Sequence, residues 1–350
     1  MKNFPARLKS ARLMNGYSMQ DLSDRLNNQL SKQSVSRYES GMMEPSKKSL
    51  KILCKALGIK PEYFEREIQV SMENVSFRKI TKLSTKNEKQ IKLQAADFLE
   101  RYLELEDIVS EAHQWQDLSF PVTSLEEVEE AAVQLRKEWN LGEDPLYNIV
   151  ELLEDHGLKV LEVDADVSFS GLSGRLERDH TPFIVLNVNP QIPIDRKRFT
   201  ALHELGHLVL KTPNMLEKEV ERCCNRFAAA LLISRGRMLA ELGPNRHTIH
   251  MKELQLLKQQ YGMSMQGILY RAKDLGIISA YQFRQQMKTF SQLGMRKREP
   301  DLYQGQEAAL RFLQLLCRAI AEEMITVSKG AELYNMRVAE FMDEITKFQR

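Results

Sequence analysis

The stretch Arg198-Phe199-Thr200-Ala201-Leu202-His203-Glu204-Leu205-Gly206-His207-Leu208-Val209-Leu210 decides how this chain is read. It reads as a helix rich in apolar residues (Phe199, Leu202, Leu205, Leu208, Leu210). On a helix, residues i and i+4 lie one above the other. His203 and His207 therefore share a face, about one turn apart, and both imidazoles can reach one tetrahedral ion. Glu204 is adjacent to His203, so it points beside the ion rather than at it. From there it can take a proton from a water whose pKa the ion lowers toward ~7. Polar side chains on an otherwise apolar helix are costly without partners, which favours ligation over two idle surface histidines.

A catalytic ion of this kind keeps three protein ligands and one open position. The third ligand is expected from the next helical stretch, about residues 216–233. Glu217, Glu219 and Glu221 are its acidic candidates, and Cys223 and Cys224 are soft alternatives. Periodicity puts Glu221, Cys224, Asn225, Ala228 and Leu232 on one face, which continues into the apolar run 227–233. Glu221 is thus expected to point inward, and Glu217 and Glu219 to face water. The cysteines read as small buried side chains, and two adjacent ones cannot both face one ion from a helix. Upstream, residues 158–163 and 182–187 read as strands, with a turn at Gly171 and Gly174. The second strand is taken as an edge to which an extended peptide can add. His247, His250 and Tyr261 are polar candidates for stabilising an oxyanion, each with a structural role as the plainer reading.

These residues carry a resemblance. The strand Phe183-Ile184-Val185-Leu186-Asn187, the His203-Glu204-Leu205-Gly206-His207 helix, and Glu221-Arg222-Cys223-Cys224-Asn225-Arg226-Phe227-Ala228-Ala229-Ala230-Leu231-Leu232 together resemble the ImmA/IrrE family of bacterial metallopeptidases. The family pattern of a Glu four residues before an Asn, then Phe-Ala and a Leu-Leu pair, falls on Glu221, Asn225, Phe227-Ala228 and Leu231-Leu232. The resemblance covers roughly residues 120–235. It implies a zincin-like fold, His203, His207 and Glu221 as zinc ligands, Glu204 as general base, and narrow cleavage of repressor proteins rather than digestion. Mn2+ is the alternative metal. Two departures stand out: Cys224 where the family often has Ala, and Ile233-Ser234 where it often has Met-Pro. Neither touches an implied ligand.

The N-terminal region has a different character. Residues 1–65 hold 12 Lys and Arg against 6 Asp and Glu, a net of +6, while the whole chain is only +2. The remainder is therefore slightly acidic, and only the basic end is expected to meet a polyanion. Ser18 and Ser31 are N-cap candidates for helices through Leu26 and over 32–39, and Gly41 and Pro45 end the second of these. Leu50, Leu53, Ala56 and Leu57 form a further amphipathic face. Leu8-Lys9-Ser10-Ala11-Arg12, Gly16-Tyr17-Ser18-Met19-Gln20-Asp21-Leu22 and Ser31-Lys32-Gln33-Ser34-Val35-Ser36-Arg37-Tyr38-Glu39 resemble the phage-repressor-type (Xre-like) helix-turn-helix. That implies a third helix in the major groove of double-stranded operator DNA, with Lys32, Gln33, Ser34 and Arg37 toward the bases and Val35 and Tyr38 packed inward. Lys and Arg suit guanine, and Gln suits adenine. The turn Leu26-Asn27-Asn28-Gln29-Leu30-Ser31 is about two residues longer than usual for this type.

The rest bounds the answer. Residues 66–82 read as a short extended linker, and Asn87 to about His113 as a connector or dimerisation helix. Ser124 with Glu127 suggests a capping box. No apolar run approaches the ~20 residues of a membrane span, and the N-terminus lacks a signal peptide's apolar region. Four scattered cysteines do not make a disulfide framework. The expected protein is cytoplasmic and mainly α with a small β-sheet (α+β). Its expected domains are a helix-turn-helix at 1–68, a linker with connector helix at 69–118, a zincin-like metallopeptidase at 119–290 and a helical C-terminal segment at 291–350. The expected function is that of a homodimeric DNA-binding regulator with a zinc-dependent endopeptidase domain acting on a regulatory protein such as a repressor. The rival expectations are a non-catalytic metal sensor and an antitoxin or phage-type regulatory module.

Overall fold

The computed structural model describes residues 3–66, 70, 75–77, 84–111, 115–177 and 180–347. The chain is mainly α with small sheets. It divides into two compact units: Met1–Ala112 with Leu176–His180 and Leu310–Arg350, and His113–Arg175 with Thr181–Ala309.

The first unit begins with α1 (Phe4–Met14), α2 (Met19–Arg25), α3 (Lys32–Glu39), α4 (Lys47–Leu57) and a 3-10 turn at Pro61–Phe64. Serine hydroxyls start three of these helices. Ser18 accepts from the Asp21 N–H while Asp21 answers the Ser18 N–H, a reciprocal box; Ser31 and Ser46 cap α3 and α4. Phe4, Leu8, Leu22, Val35, Tyr38, Leu53 and Phe64 fill the core between the helices. The long turn before α3 is accommodated by Asn27 and Asn28, both left-handed (φ 50° and 57°), a conformation Asn tolerates better than other side-chain-bearing residues. Ser23 Oγ donates to the Leu30 carbonyl at 2.8 Å and pins the turn's far end. Arg12 grips Glu39 with two bonds, at 2.6 and 2.8 Å, and so ties α1 to the end of α3.

The unit also holds the strand β1 (Val75–Phe77) and the long helix α5 (Thr85–Val109). Apart from β1, Arg66 and Val70, the expected extended segment 66–82 lies outside the described residues. Ser84 caps α5, and Arg7 forms a buried 2.7 Å ion pair with Glu100 on it. The last helices, α14 (Arg311–Ala321), α15 (Val327–Leu333) and α16 (Val338–Lys347), return to this unit. There the Phe312 ring packs at a tilt against Phe98 and Tyr102 of α5, both at 5.3 Å between ring centres.

The second unit contains β2 (Phe120–Pro121), α6 (Leu125–Glu138), α7 (Ile149–Asp155), β3 (Lys159–Val163), β4 (Gly171–Leu176), β5 (Pro182–Asn187), α8 (Ile194–Val209), β6 (Leu210–Lys211), α9 (Glu217–Leu232), α10 (Arg235–Leu242), α11 (Met251–Tyr261), α12 (Met265–Asp274) and α13 (Ala280–Gln292). β3 runs parallel to β5, pairing Lys159 with Phe183 through Val163 with Asn187. β4 runs antiparallel on its other side, pairing Gly171 with Leu186 through Arg175 with Pro182. Two strand expectations are thereby corrected. Residues 171–174 are strand, not turn, and β5 is an internal strand rather than an edge. Every residue of β5 is buried, as a strand covered on both faces requires. No further backbone can pair with it. Ser124 caps α6 as expected, but Glu127 reaches back to the Thr123 N–H at 2.6 Å rather than to Ser124.

Buried charges hold the helix ends of this unit in place. Glu307 pairs with Arg198 of α8, both fully buried, and accepts the Ile149 and Val150 N–H groups at the start of α7 (2.9 Å each). Glu299 likewise accepts from Met265 and Gln266 at the start of α12 and pairs with the buried Lys258. The segment after α13 is therefore an integral strap of this unit. Glu129 on α6 binds Arg271 of α12 at 2.5 and 2.8 Å and also meets Arg226 of α9.

Removing one partner of a buried pair strands the other charge, so Glu129→Gln is expected to cost about 3 kcal/mol at neutral pH. Burial opposes the Glu129 charge, but the two arginines outweigh it and hold its pKa below the ordinary 4.5. A lowered folded-state pKa stabilises above the unfolded value, and that stabilisation is lost as pH falls through the folded value. The gap between wild type and Glu129→Gln in urea unfolding should therefore close in acid. A gap independent of pH would show that the charge contributes nothing.

Candidate metal centre

Helix α8 starts after Pro193 and buries one long side from Thr200 to Val209. Helix α9 packs along it, with its backbone close to Gly206. A Cβ there would meet the Cys224 Cα at 3.3 Å and the Phe227 ring at 3.3 Å. Glycine thus lets the second helix come near enough for its side chains to reach the histidines of the first.

The three residues converge. His203 Nε2 and His207 Nε2 stand 3.1 Å apart. The Glu221 carboxylate lies 3.4 Å from the first and 3.2 Å from the second. Among the described residues these form a cluster of candidate ligands whose donor atoms all lie within 4.8 Å of one another. Donors about 2.0–2.2 Å from a tetrahedral zinc stand roughly 3.2–3.6 Å from each other. The observed spacing and the two-nitrogen, one-oxygen donor set both fit such an ion. Hydrogen bonds from His203 and then His207 hold Glu221 well below the usual carboxylate range, in the charged form that binds metal. Burial works against a charged His203, but the bond to Glu221 and the charge of Glu204 outweigh it and raise its pKa. The histidines are largely covered, whereas half of Glu221 is exposed. The cluster is therefore open to solvent on the Glu221 side, and Glu221 is less inward than its helical face suggested.

Around the cluster stand three contacts that fix side-chain orientation. Asn225 Oδ1 lies 3.1 Å from His203 Nδ1, and Cys224 Sγ lies 3.3 Å from His207 Nδ1. On the other side, Ser173 of β4 donates from Oγ to Glu204 Oε2 at 2.8 Å, with both residues buried. β4 and the residue before it run alongside α8: Arg196 donates to Ser170, Ser173 meets Glu204, and Arg175 donates to the Leu208 carbonyl. Sequence reading missed Ser173, because its glycine neighbours suggested a turn. The signal lay in the glycine itself, since Gly in a strand often marks close approach of another backbone.

The other candidates are occupied elsewhere. Glu219 accepts the Leu216 N–H at the start of α9, and Cys223 touches Met215. His250 caps α11, His247 bonds Gln282, and the Tyr261 hydroxyl donates to Glu241.

Against known families, residues 153–273 match the IrrE N-terminal-like domain, a peptidase family, and residues 8–64 match a helix-turn-helix domain. The chain carries both. No curated protein matches it. The IrrE-like match begins in α7 and ends in α12, so it contains β4, α8 and α9 with Ser173, His203, Glu204, His207, Glu221, Cys224 and Asn225. In the helix-turn-helix domain, Lys32, Gln33 and Arg37 of α3 are exposed, and Val35 and Tyr38 are buried as expected. Ser34 is half-buried, and its hydroxyl lies 3.0 Å from Ser31 Oγ within the helix cap. Among the described residues no helix is long and apolar enough to cross a membrane.

A Cβ at Gly171 would come within 2.7 Å of Thr200 Cγ2 and 3.0 Å of the Val185 carbonyl. Gly171→Ala should therefore push β4 away from α8 and destabilise the IrrE-like domain by about 1–3 kcal/mol, measured by thermal unfolding. An unchanged transition would show that β4 has room to spare.

Proposed function

We propose that this chain is a DNA-binding transcriptional regulator whose IrrE-like domain is a zinc-dependent endopeptidase acting on a regulatory protein such as a repressor. The observation that carries the reading is the convergence of His203, His207 and Glu221, with Glu204 buried beside them on the same helix. His203 and His207 would hold the metal through Nε2 and Glu221 through its carboxylate. The chemistry that zinc would supply there is Lewis acidity, which lowers the pKa of water and polarises a carbonyl; Mn2+ is the alternative ion. Glu204 Oε2 is engaged by Ser173, which leaves Oε1 to take a proton from the attacking water and return it to the departing amine. A base with no part in ligation is superfluous in a purely structural or sensory site, which favours turnover over sensing.

At the other end, α3 would enter the major groove, with Lys32, Gln33 and Arg37 toward base edges and Ser34 committed to the cap. Two copies would meet paired half-sites of the operator. A narrow substrate suits this arrangement, because DNA binding already restricts where the peptidase works.

Two experiments test these readings. Glu204→Gln should retain stoichiometric metal by elemental analysis yet lose proteolytic fragments in cells expressing the full chain, since a general base contributes on the order of 10²–10⁴-fold. Identical fragments in both strains would overturn the peptidase reading. Separately, the joint change of Lys32, Gln33 and Arg37 to alanine should abolish binding to operator DNA selected with the wild-type protein, at unchanged metal content. Persistent sequence-specific binding would move the DNA contact off α3.

A further inference from the structure

A sulfur stands beside the candidate metal ligands. Cys224 is fully buried one turn after Glu221 on α9, and Gly206 brings its backbone against α8. Its Sγ stands 3.3 Å from His207 Nδ1, while the opposite nitrogen of the same ring faces Glu221 and His203. The His207 ring is thus held with Nε2 toward the cluster and Nδ1 toward sulfur. A histidine that ligates through Nε2 carries its proton on Nδ1, and a partner there fixes the ring and sets its donor strength. His203 meets an amide oxygen in this role, Asn225 Oδ1, whereas His207 meets a thiol. The two histidines are therefore held by unlike neighbours.

Resting on the metal-site reading above, we propose that Cys224 is a positioning residue for His207: its sulfur receives the Nδ1–H and thereby sets the affinity of the site for zinc. Cys224 itself stays outside the ligand set, since its sulfur lies on the Nδ1 side of the ring, away from the cluster. Cys223, the adjacent thiol, contacts Met215 and has no such role. The rival account is that Cys224 only fills space, as buried cysteines often do.

The test uses the full chain with zinc alone, measuring the dissociation constant by competition with a chromophoric chelator. Loss of a partner to a ligating histidine typically costs roughly 10–100-fold in metal affinity. Cys224→Ala and Cys224→Val should both fall in that range, although Val keeps the volume. Cys224→Ser, which keeps an acceptor, should stay within about threefold of wild type. Cys223→Ala should bind as wild type does. Thermal unfolding of each metal-free variant separates a folding defect from a weakened site. The cobalt-loaded wild type should show no thiolate-to-metal charge-transfer band, and such a band would overturn the proposal by making Cys224 a ligand. Unchanged affinity in Cys224→Ala, or equal losses in Ser and Val, would also overturn it. A wild-type chain that binds no zinc, or binds it equally well as Glu221→Ala, would instead defeat the metal-site reading on which the proposal stands.

Discussion

One close contact between two helices underlies the candidate centre. α8 carries His203, Glu204 and His207, and α9 brings Glu221, Cys224 and Asn225 to the histidines. These side chains are short. Gly206 helps them reach the imidazoles by leaving room for the Cys224 backbone against α8. A Cβ at 206 would press on the Cys224 backbone and the Phe227 ring at 3.3 Å, so a larger side chain there would crowd α9. The glycine in His203-Glu204-Leu205-Gly206-His207 thus does for the second helix what the histidine spacing does for the first.

The rest of the second unit holds α8 still. Near its N-terminal end, Arg198 is locked by Glu307 and by backbone carbonyls of Leu146, Tyr147 and Gly262. Along its flank, β4 approaches through Gly171 and supplies Ser173 to Glu204. For the general base proposed at Glu204, a fixed second oxygen would set the geometry before substrate arrives. The helix-turn-helix domain follows a similar economy. Val35 and Tyr38 enter the core and Arg12 clasps Glu39, which leaves Lys32, Gln33 and Arg37 as the exposed face of α3.

How far the sequence could be read depended on how local the deciding interaction was. Serine caps, the amphipathic face of α4 and the helical spacing of His203 and His207 are relations within a few residues. The same holds for the apolar character of β5, although not for its place in the sheet. Its continuous apolar run, buried along its whole length, is the mark of a strand with neighbours on both sides, and an edge reading overlooked that. β4 failed for the opposite reason. Glycine and serine carry turn propensity, and only the approach of Thr200 and Glu204 explains why a strand would use them. His247, His250 and Tyr261 drew attention as polar residues near an active helix in sequence, yet each serves a cap or a side-chain network.

What the sequence by itself determined is the set of elements and the chemistry they can carry: two domain types, a histidine pair one turn apart, and a basic end suited to a polyanion. Periodicity and capping suffice for this because they act along one helix or strand. What only the tertiary structure decided is which side chains meet. Glu221 joins the histidines and Glu219 does not, Cys224 turns its sulfur to His207, Ser173 reaches Glu204, and Glu299 and Glu307 fasten a strap to helices far away in sequence. Each of these depends on the distance and rotation between separate elements. That geometry is set by core packing over the whole unit, where one methyl group at Gly171 would already meet Thr200 at 2.7 Å.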